Sequence, residues 1–211
     1  MTPPNFDRLA RSYRWLEYLS LGPLLERTRN HHISALAACT HALVLGDGDG
    51  RFTARLLASH PTIRVHAVDA SAAMLAELCR RTPRSTDNRL RTTHADARQI
   101  LSSRDINLIV THFFLDCFDQ PDVDALIPRL ASGLPSGTLW LVSDFRIPPG
   151  ALGPLARAYI RVLYLGFRML TGLRTIRLPD HEAPLARAGF RRIALSRRLF
   201  GMLTTELWRK E

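Results

Sequence analysis

The stretch His41-Ala-Leu-Val-Leu-Gly-Asp-Gly-Asp-Gly-Arg-Phe52 carries the most informative spacing in the chain. A short apolar run leads into Gly46, Gly48 and Gly50, and a helical pattern follows. Glycines at such a turn allow tight backbone geometry. They also let a ligand lie against backbone N–H groups at a helix start. Dinucleotide-binding turns share this design, but their G-x-G-x-x-G needs a glycine where Arg51 stands. Two carboxylates follow, each at the end of a later apolar run. Asp69, in Val68-Asp-Ala-Ser71, lies about 20 residues beyond the loop, where a carboxylate can accept both hydroxyl hydrogens of a ribose. Asp96, in His94-Ala-Asp-Ala97, can accept from an adenine amino group while a backbone N–H meets a ring nitrogen. The alternative for either acid is a helix cap or a solvent-facing turn. In Thr111-His-Phe-Phe-Leu-Asp-Cys117, His112 is the candidate base for a hydroxyl or an acidic carbon, having a pKa near neutrality. A packed histidine with no catalytic task is its alternative. Phe113 and Phe114 suit an apolar pocket and suit a core as well, while Asp116 reads as a cap or orienter of the neighbouring helix.

Those residues need a scaffold, and the apolar pattern supplies one. Ala42–Leu45, Val65–Val68, Leu108–Val110 and Thr138–Val142 are short and apolar, bounded by turn residues, and read as buried strands. A further strand ends near His94. Between them Phe52–Ser59, Ala72–Arg81 and Val123–Ala131 have helical spacing, with Ser71 and Asp119 placed as N-caps. Strands alternating with helices imply a parallel sheet covered on both faces. Residues from Phe6 to Ala38 predict one or two helices, interrupted at Gly22-Pro23. After Pro148-Pro149-Gly150 a helix is predicted over Leu152–Leu170, then a short one from Pro179-Asp180 to near Gly189. Arg191–Ser196 and Met202–Trp208 read as a closing pair of strands. The whole reads as a single α/β domain over 1–211, with a helical cap at about 5–38 and a helical insertion at about 151–172.

The G-x-G-x-G of Gly46, Gly48 and Gly50 is the pattern of loops that hold S-adenosylmethionine (SAM). Together with Val68-Asp-Ala-Ser71, His94-Ala-Asp-Ala97 and Leu134-Pro-Ser-Gly-Thr-Leu-Trp-Leu-Val142, it makes the chain resemble the class I SAM-dependent methyltransferases from about Phe6 to Arg209. Phe6-Asp-x-x-Ala10-x-x-Tyr13 is similar to the N-terminal helix of the ubiquinone/menaquinone C-methyltransferase-like group. The resemblance implies a Rossmann-like, mostly parallel seven-stranded sheet with an antiparallel last strand. It places Gly46, Asp47, Gly48 and Gly50 at the methionine end of SAM, Asp69 and Ala70 on the ribose, and Asp96 and Ala97 near adenine. Met74 would pack on adenine or simply fill the helix core, and Thr111 would border the cofactor. One departure stands out: Val44 occupies the place where the family often carries an acid two residues before the first glycine. Help for the amino group of SAM must then come from Asp47, Asp49 or a carbonyl.

The insertion speaks to the acceptor. Arg157, Arg161 and Arg168 fall on one narrow stripe, while Leu155, Tyr159, Ile160, Leu163, Phe167 and Leu170 make a broad apolar face. Such a helix can pack on the domain's own core, lid a lipophilic pocket, rest at a membrane interface or join a homodimer. Tyr13, Trp15 and Tyr18 could close the pocket opposite it, and Tyr13, Phe113, Phe114 and Tyr159 are its candidate lining. The formal charge of +10 invites nucleic acid, yet Lys210 is the only lysine and the arginines form no dense cluster. Thr111-His-Phe-Phe114 is not the polar-Pro-Pro-aromatic motif of base-amino methylation, and Leu115-Asp-Cys117 lacks the Pro-Cys of cytosine C5 enzymes. Three scattered cysteines show neither disulfide nor zinc spacing. The N-terminus is not a secretory signal, and cytoplasm, with peripheral membrane contact open, is the expected location. The expected activity is methyl transfer from SAM to a small apolar acceptor (quinone-like, aromatic or lipid-like), leaving S-adenosylhomocysteine. RNA methylation and a non-catalytic SAM-fold protein are the alternatives.

Overall fold

Alternation along β1 (His41–Leu45) explains both faces of the sheet. Leu43 and Leu45 enter one apolar core, Ala42 and Val44 the other. The computed structural model describes residue 21, residues 23–171 and residues 177–211. Five strands, β1, β2 (Arg64–Asp69), β3 (Leu90–His94), β4 (Leu108–His112) and β5 (Leu139–Phe145), run parallel. They continue through β7 (Leu203–Lys210) to β6 (Phe190–Arg198), in the order β3-β2-β1-β4-β5-β7-β6, with β7 antiparallel to both neighbours. Centre and edge are written in composition: β4, Leu-Ile-Val-Thr-His, is buried throughout, whereas edge strand β3, Leu-Arg-Thr-Thr-His, is not. The expected Rossmann-like sheet with a reversed last strand is therefore found.

The helices between the strands are α1 (Leu24–Arg29), α2 (Arg51–Ser59), α3 (Ala72–Arg81), α4 (Gln120–Ala131), α5 (Gly153–Thr171) and α6 (Glu182–Arg187). Ser71 caps α3 by accepting from the Met74 N–H, and Asp119 caps α4 by accepting from the Asp122 N–H. Helix α4 starts before the expected Val123 because Pro121 fits the first turn behind that cap. β5 starts one residue after the expected Thr138 and runs on past the expected Val142. Its polar end is satisfied by β7, where the Ser143 hydroxyl donates to Thr205 Oγ1 at 3.0 Å. Of the N-terminal helical cap, α1 and a 3₁₀ turn at Ile33–Leu36 are seen; Tyr13, Trp15 and Tyr18 lie outside the described residues.

The insertion forms α5 as expected, but its apolar residues divide between two faces. Ala156, Ile160 and Tyr164 are buried, and the last two pack with Cys117, Phe145, Ile147, Leu178 and Met202. Helix α5 thus lies just beyond the C-terminal ends of β4 and β5. Leu155, grouped with Ile160 from the sequence, instead faces outward. Among the described residues no helix is long and apolar enough to cross a membrane.

Candidate active site

The loop between β1 and α2 is built for close approach. Gly46, Gly48 and Gly50 have φ of 64°, 62° and 77°, the left-handed region that favours glycine. A Cβ on Gly46 would stand 2.3 Å from the Phe114 ring, and one on Gly50 would stand 2.6 Å from the Leu78 Cα. The missing acid at Val44 has two candidate substitutes here, and their surroundings differ. Asp49 is buried and committed, accepting from Arg51 and Arg81 at 2.9 Å each. Asp47 accepts from the Thr53 N–H at 2.9 Å, bonding an otherwise orphaned donor in the first turn of α2. Burial pushes the Asp47 carboxyl up to about 6, against the pull of the Thr53 hydrogen bonds.

Asp69 ends β2 beside this loop. Its carboxylate accepts from the Ser71 N–H at 2.8 Å and from the Gly48 backbone. Burial again raises it to about 6, with the neighbouring Asp47 adding to the shift. His94 at the end of β3 bonds the Ala70 carbonyl at 3.0 Å, tying two strand ends together. Met74 is buried in the first turn of α3 behind Ser71. Asp96 fills the capping role weighed for it, accepting from the Arg98 N–H at 2.9 Å in front of the 3₁₀ turn Ala97–Gln99. Burial alone would raise its carboxyl, but the Arg98 guanidinium, 2.6 Å away, outweighs this and holds it low. An adenine amino group at Asp96 would have to share the carboxylate with Arg98.

Strand β4 delivers the remaining candidates. The Thr111 hydroxyl accepts from the Trp140 indole N–H at 3.0 Å, so this oxygen is engaged in the core. His112 is 3% exposed, packs edge-on against Phe52 with ring centroids 4.4 Å apart, and has no hydrogen-bond partner on either ring nitrogen. Burial, and then the charge of Arg29, lower its pKa well below the ordinary histidine value, so the expectation of a near-neutral pKa is corrected. The imidazole is neutral at physiological pH. Phe113 follows with φ of 50°, a conformation costly for a bulky residue and the kind of strain that collects at functional sites. That kink sends the two phenylalanines apart. Phe113 meets Phe145 at 5.2 Å and lies under the Arg29 guanidinium at 5.1 Å, whereas Phe114 backs Gly46 and packs on Phe118. Phe145 also touches the cluster containing Tyr159, so Phe113 and Tyr159 border one region and Phe114 serves the loop and core.

Sequence reading missed a buried acid pair at the same end of the sheet. Asp116 and Asp144 are 3% and 2% exposed and hydrogen-bond to one another through their side chains. The Tyr164 hydroxyl of α5 donates to Asp116 Oδ2 at 3.1 Å. Burial raises both carboxyls, and each disfavours ionisation of the other, so the pair holds one proton between them. The local signal was a polar Ser143-Asp144 step inside an otherwise apolar strand. The Cys117 thiol is pushed well up by burial and by these acids. Among the described residues no group of three His, Cys, Asp or Glu side chains is placed to hold a metal ion.

Residues 42–137 match the family model described as a methyltransferase domain. No curated protein matches the chain. Among solved structures, the mitomycin 7-O-methyltransferase shares the fold with a TM-score of 0.71 at 18% identity, covering 98% of this chain and 61% of its own. An O-methyltransferase family 2 protein from Planctomyces limnophilus, solved with apigenin, has a TM-score of 0.70 at 22% identity, covering 96% of this chain and 62% of its own. Magnesium protoporphyrin IX methyltransferase from Synechocystis, with bound S-adenosylhomocysteine, has a TM-score of 0.69 at 15% identity, covering 98% and 96%. The chain thus spans about three fifths of the first two neighbours. What these likenesses show is the fold, a Rossmann-like, mostly parallel sheet shared with solved methyltransferases.

Proposed function

We propose that this protein transfers a methyl group from SAM to a small, apolar acceptor bound between β4, β5 and α5. The observation that carries the reading is the cofactor cradle: three left-handed glycines, of which Gly46 and Gly50 are pressed against Phe114 and Leu78, with the Asp47 and Asp69 carboxylates beside them. That cradle fits the cofactor's chemistry. Gly46, Gly48 and Gly50 leave room for the methionine end, and Asp47 substitutes for the absent acid at Val44 in accepting from its amino group. Asp69 and Ala70 take the ribose, Asp96, Ala97 and Met74 border the adenine, and Thr111 closes the floor. When bound, the sulfonium supplies an electrophilic methyl group. The chain's own task is to align an acceptor in line with it and keep water away. Phe113 and Tyr159 provide an apolar lining suited to quinone-like, aromatic or lipid-like molecules. The small-molecule acceptors named for the structural neighbours support this substrate class.

His112 is the candidate base. Held neutral in an apolar setting, it can take a proton from a hydroxyl or acidic carbon as the methyl arrives. His112→Ala is expected to lower kcat by about 100-fold or more if proton removal is part of the step. Unchanged kcat would leave alignment alone as the source of rate. For the cofactor, Asp69→Ala should weaken SAM binding by about 1–3 kcal/mol, the cost of leaving ligand hydroxyls unpaired. Calorimetric titration with SAM and S-adenosylhomocysteine reads this directly. Equal affinity in the variant would remove Asp69 from the site, and no binding in the wild type would favour a non-catalytic protein. Binding of RNA with a steep salt dependence would turn the acceptor assignment toward RNA.

A further inference from the structure

Helix α5 has two apolar faces, and only one is covered among the described residues. On the side away from Ile160 and Tyr164, Leu155, Val162 and Leu165 are 69%, 71% and 51% exposed. Their spacing of seven and three residues keeps them on one stripe of the helix. Exposed leucines occurring singly need no explanation, but an aliphatic stripe does. A second feature stands beside the start of this helix. The β6–β7 hairpin turns through Leu199 and Phe200, both at positive φ, and holds the Phe200 ring 80% exposed. Gly201 of that turn faces Pro148, whose carbonyl abuts Gly153 of α5, and Met202 packs into the Ile160–Tyr164 cluster. A strained turn presenting an aromatic side chain to water gains nothing for the fold itself.

The charge that α5 and the approach to the Phe200 turn carry is positive. Helix α5 contains no Asp or Glu, and its Arg157 and Arg161 are exposed and outside every ion pair among the described residues. Arg197 and Arg198 lead into the Phe200 turn. A second copy of the chain is a poor occupant: a twofold contact would bring this arginine-bearing stripe against itself, with no acid on the helix to offset it. A nucleic acid would match the arginines but leave the aliphatic stripe against a polar surface. An anionic bilayer satisfies both, since arginine stems snorkel to phosphates while aliphatic and aromatic groups enter the acyl boundary.

We propose that the outer stripe of α5, with the Phe200 hairpin tip, is a docking surface for anionic lipid membranes. The enzyme lies on the bilayer and does not cross it. The inner face of the same helix covers the acceptor end of the sheet, so docking places that end next to a reservoir of lipophilic acceptors. This consequence rests on the acceptor reading above; the docking itself does not. The test is co-sedimentation of the full chain with vesicles of phosphatidylcholine alone and of phosphatidylcholine with a minority of phosphatidylglycerol. A triple variant, Leu155→Ser, Val162→Ser and Phe200→Ser, keeps every charge and removes the apolar groups. The wild type is expected to bind the anionic vesicles, and the variant to bind them at least about tenfold more weakly. SAM affinity should be equal in the two proteins, which separates a failure of docking from a failure of the cofactor assignment. Equal vesicle binding by variant and wild type would overturn the proposal in favour of bulk charge, as would no binding by either. A wild-type dimer in light scattering that dissociates in the variant would also overturn it, giving the face to a second copy.

Discussion

Gly50→Ala is expected to cost the fold about 3 kcal/mol or more and to abolish cofactor binding. Two penalties combine at this residue. Its φ of 77° is strained for any side chain, worth about 1–2 kcal/mol. The new methyl would also stand 2.5–2.6 Å from the Leu78 Cα, Cβ and Cγ, and a helix backbone cannot swing aside as a side-chain tip can. Overpacking of that kind adds about 1–3 kcal/mol. Gly137→Ala is the control, because Gly137 has φ of 85° but nothing within 4 Å of an added Cβ. Urea unfolding of both variants isolates the clash as their difference. A Gly50→Ala protein no less stable than Gly137→Ala would mean that α3 yields, and that the loop is not fixed by its contact with Leu78. Gly46→Ala presses on the Phe114 ring, a softer neighbour, so its damage should fall more on the cofactor than on the fold.

The glycine loop was legible in the sequence because its chemistry is local. Turn, glycines and following helix occupy one continuous stretch, and Asp69 comes at a spacing set by a single helix and strand. The mostly parallel sheet followed from the same alternation, and its reversed last strand from the resemblance. What stayed hidden needed distant segments to meet. Asp144 lies in β5, Asp116 after β4 and Tyr164 in the insertion, so the polar Ser143-Asp144 step marks one member but no single segment shows its partner. For His112 the residue was legible but its state was not, because burial and Arg29 set its pKa. The Asp96–Arg98 pairing was a local feature passed over, two residues apart in the chain. In α5, periodicity identified an amphipathic helix but merged Leu155 with Ile160. Only packing separates a face buried against β4 and β5 from one left in water.

The acid pair makes the second large prediction, and its sign is set by where the proton goes. An unfolded aspartate loses its proton near pH 4, whereas the folded pair retains one well above that. Between those values the native state binds more protons than the unfolded chain, so its stability falls as pH rises from about 4 through the neutral range. Asp47 and Asp69, raised to about 6, add the same slope between about pH 4 and 6. Asp144→Asn keeps an N–H donor toward Asp116 and an oxygen for the Phe145 N–H, which now bonds Asp144 Oδ1 at 2.9 Å, but it carries no proton to lose. Its stability should match the wild type near pH 4 and exceed it increasingly toward pH 8, with the contributions of Asp47 and Asp69 cancelling in the difference. Asp144→Leu should behave oppositely, losing about 3 kcal/mol at neutral pH because Asp116 is left buried with only the Tyr164 hydroxyl and the weak Cys117 thiol as side-chain donors. Denaturant unfolding of the three proteins at pH 4, 6 and 8 distinguishes these outcomes. Parallel curves for wild type and Asp144→Asn would mean that the two carboxyls do not share a proton.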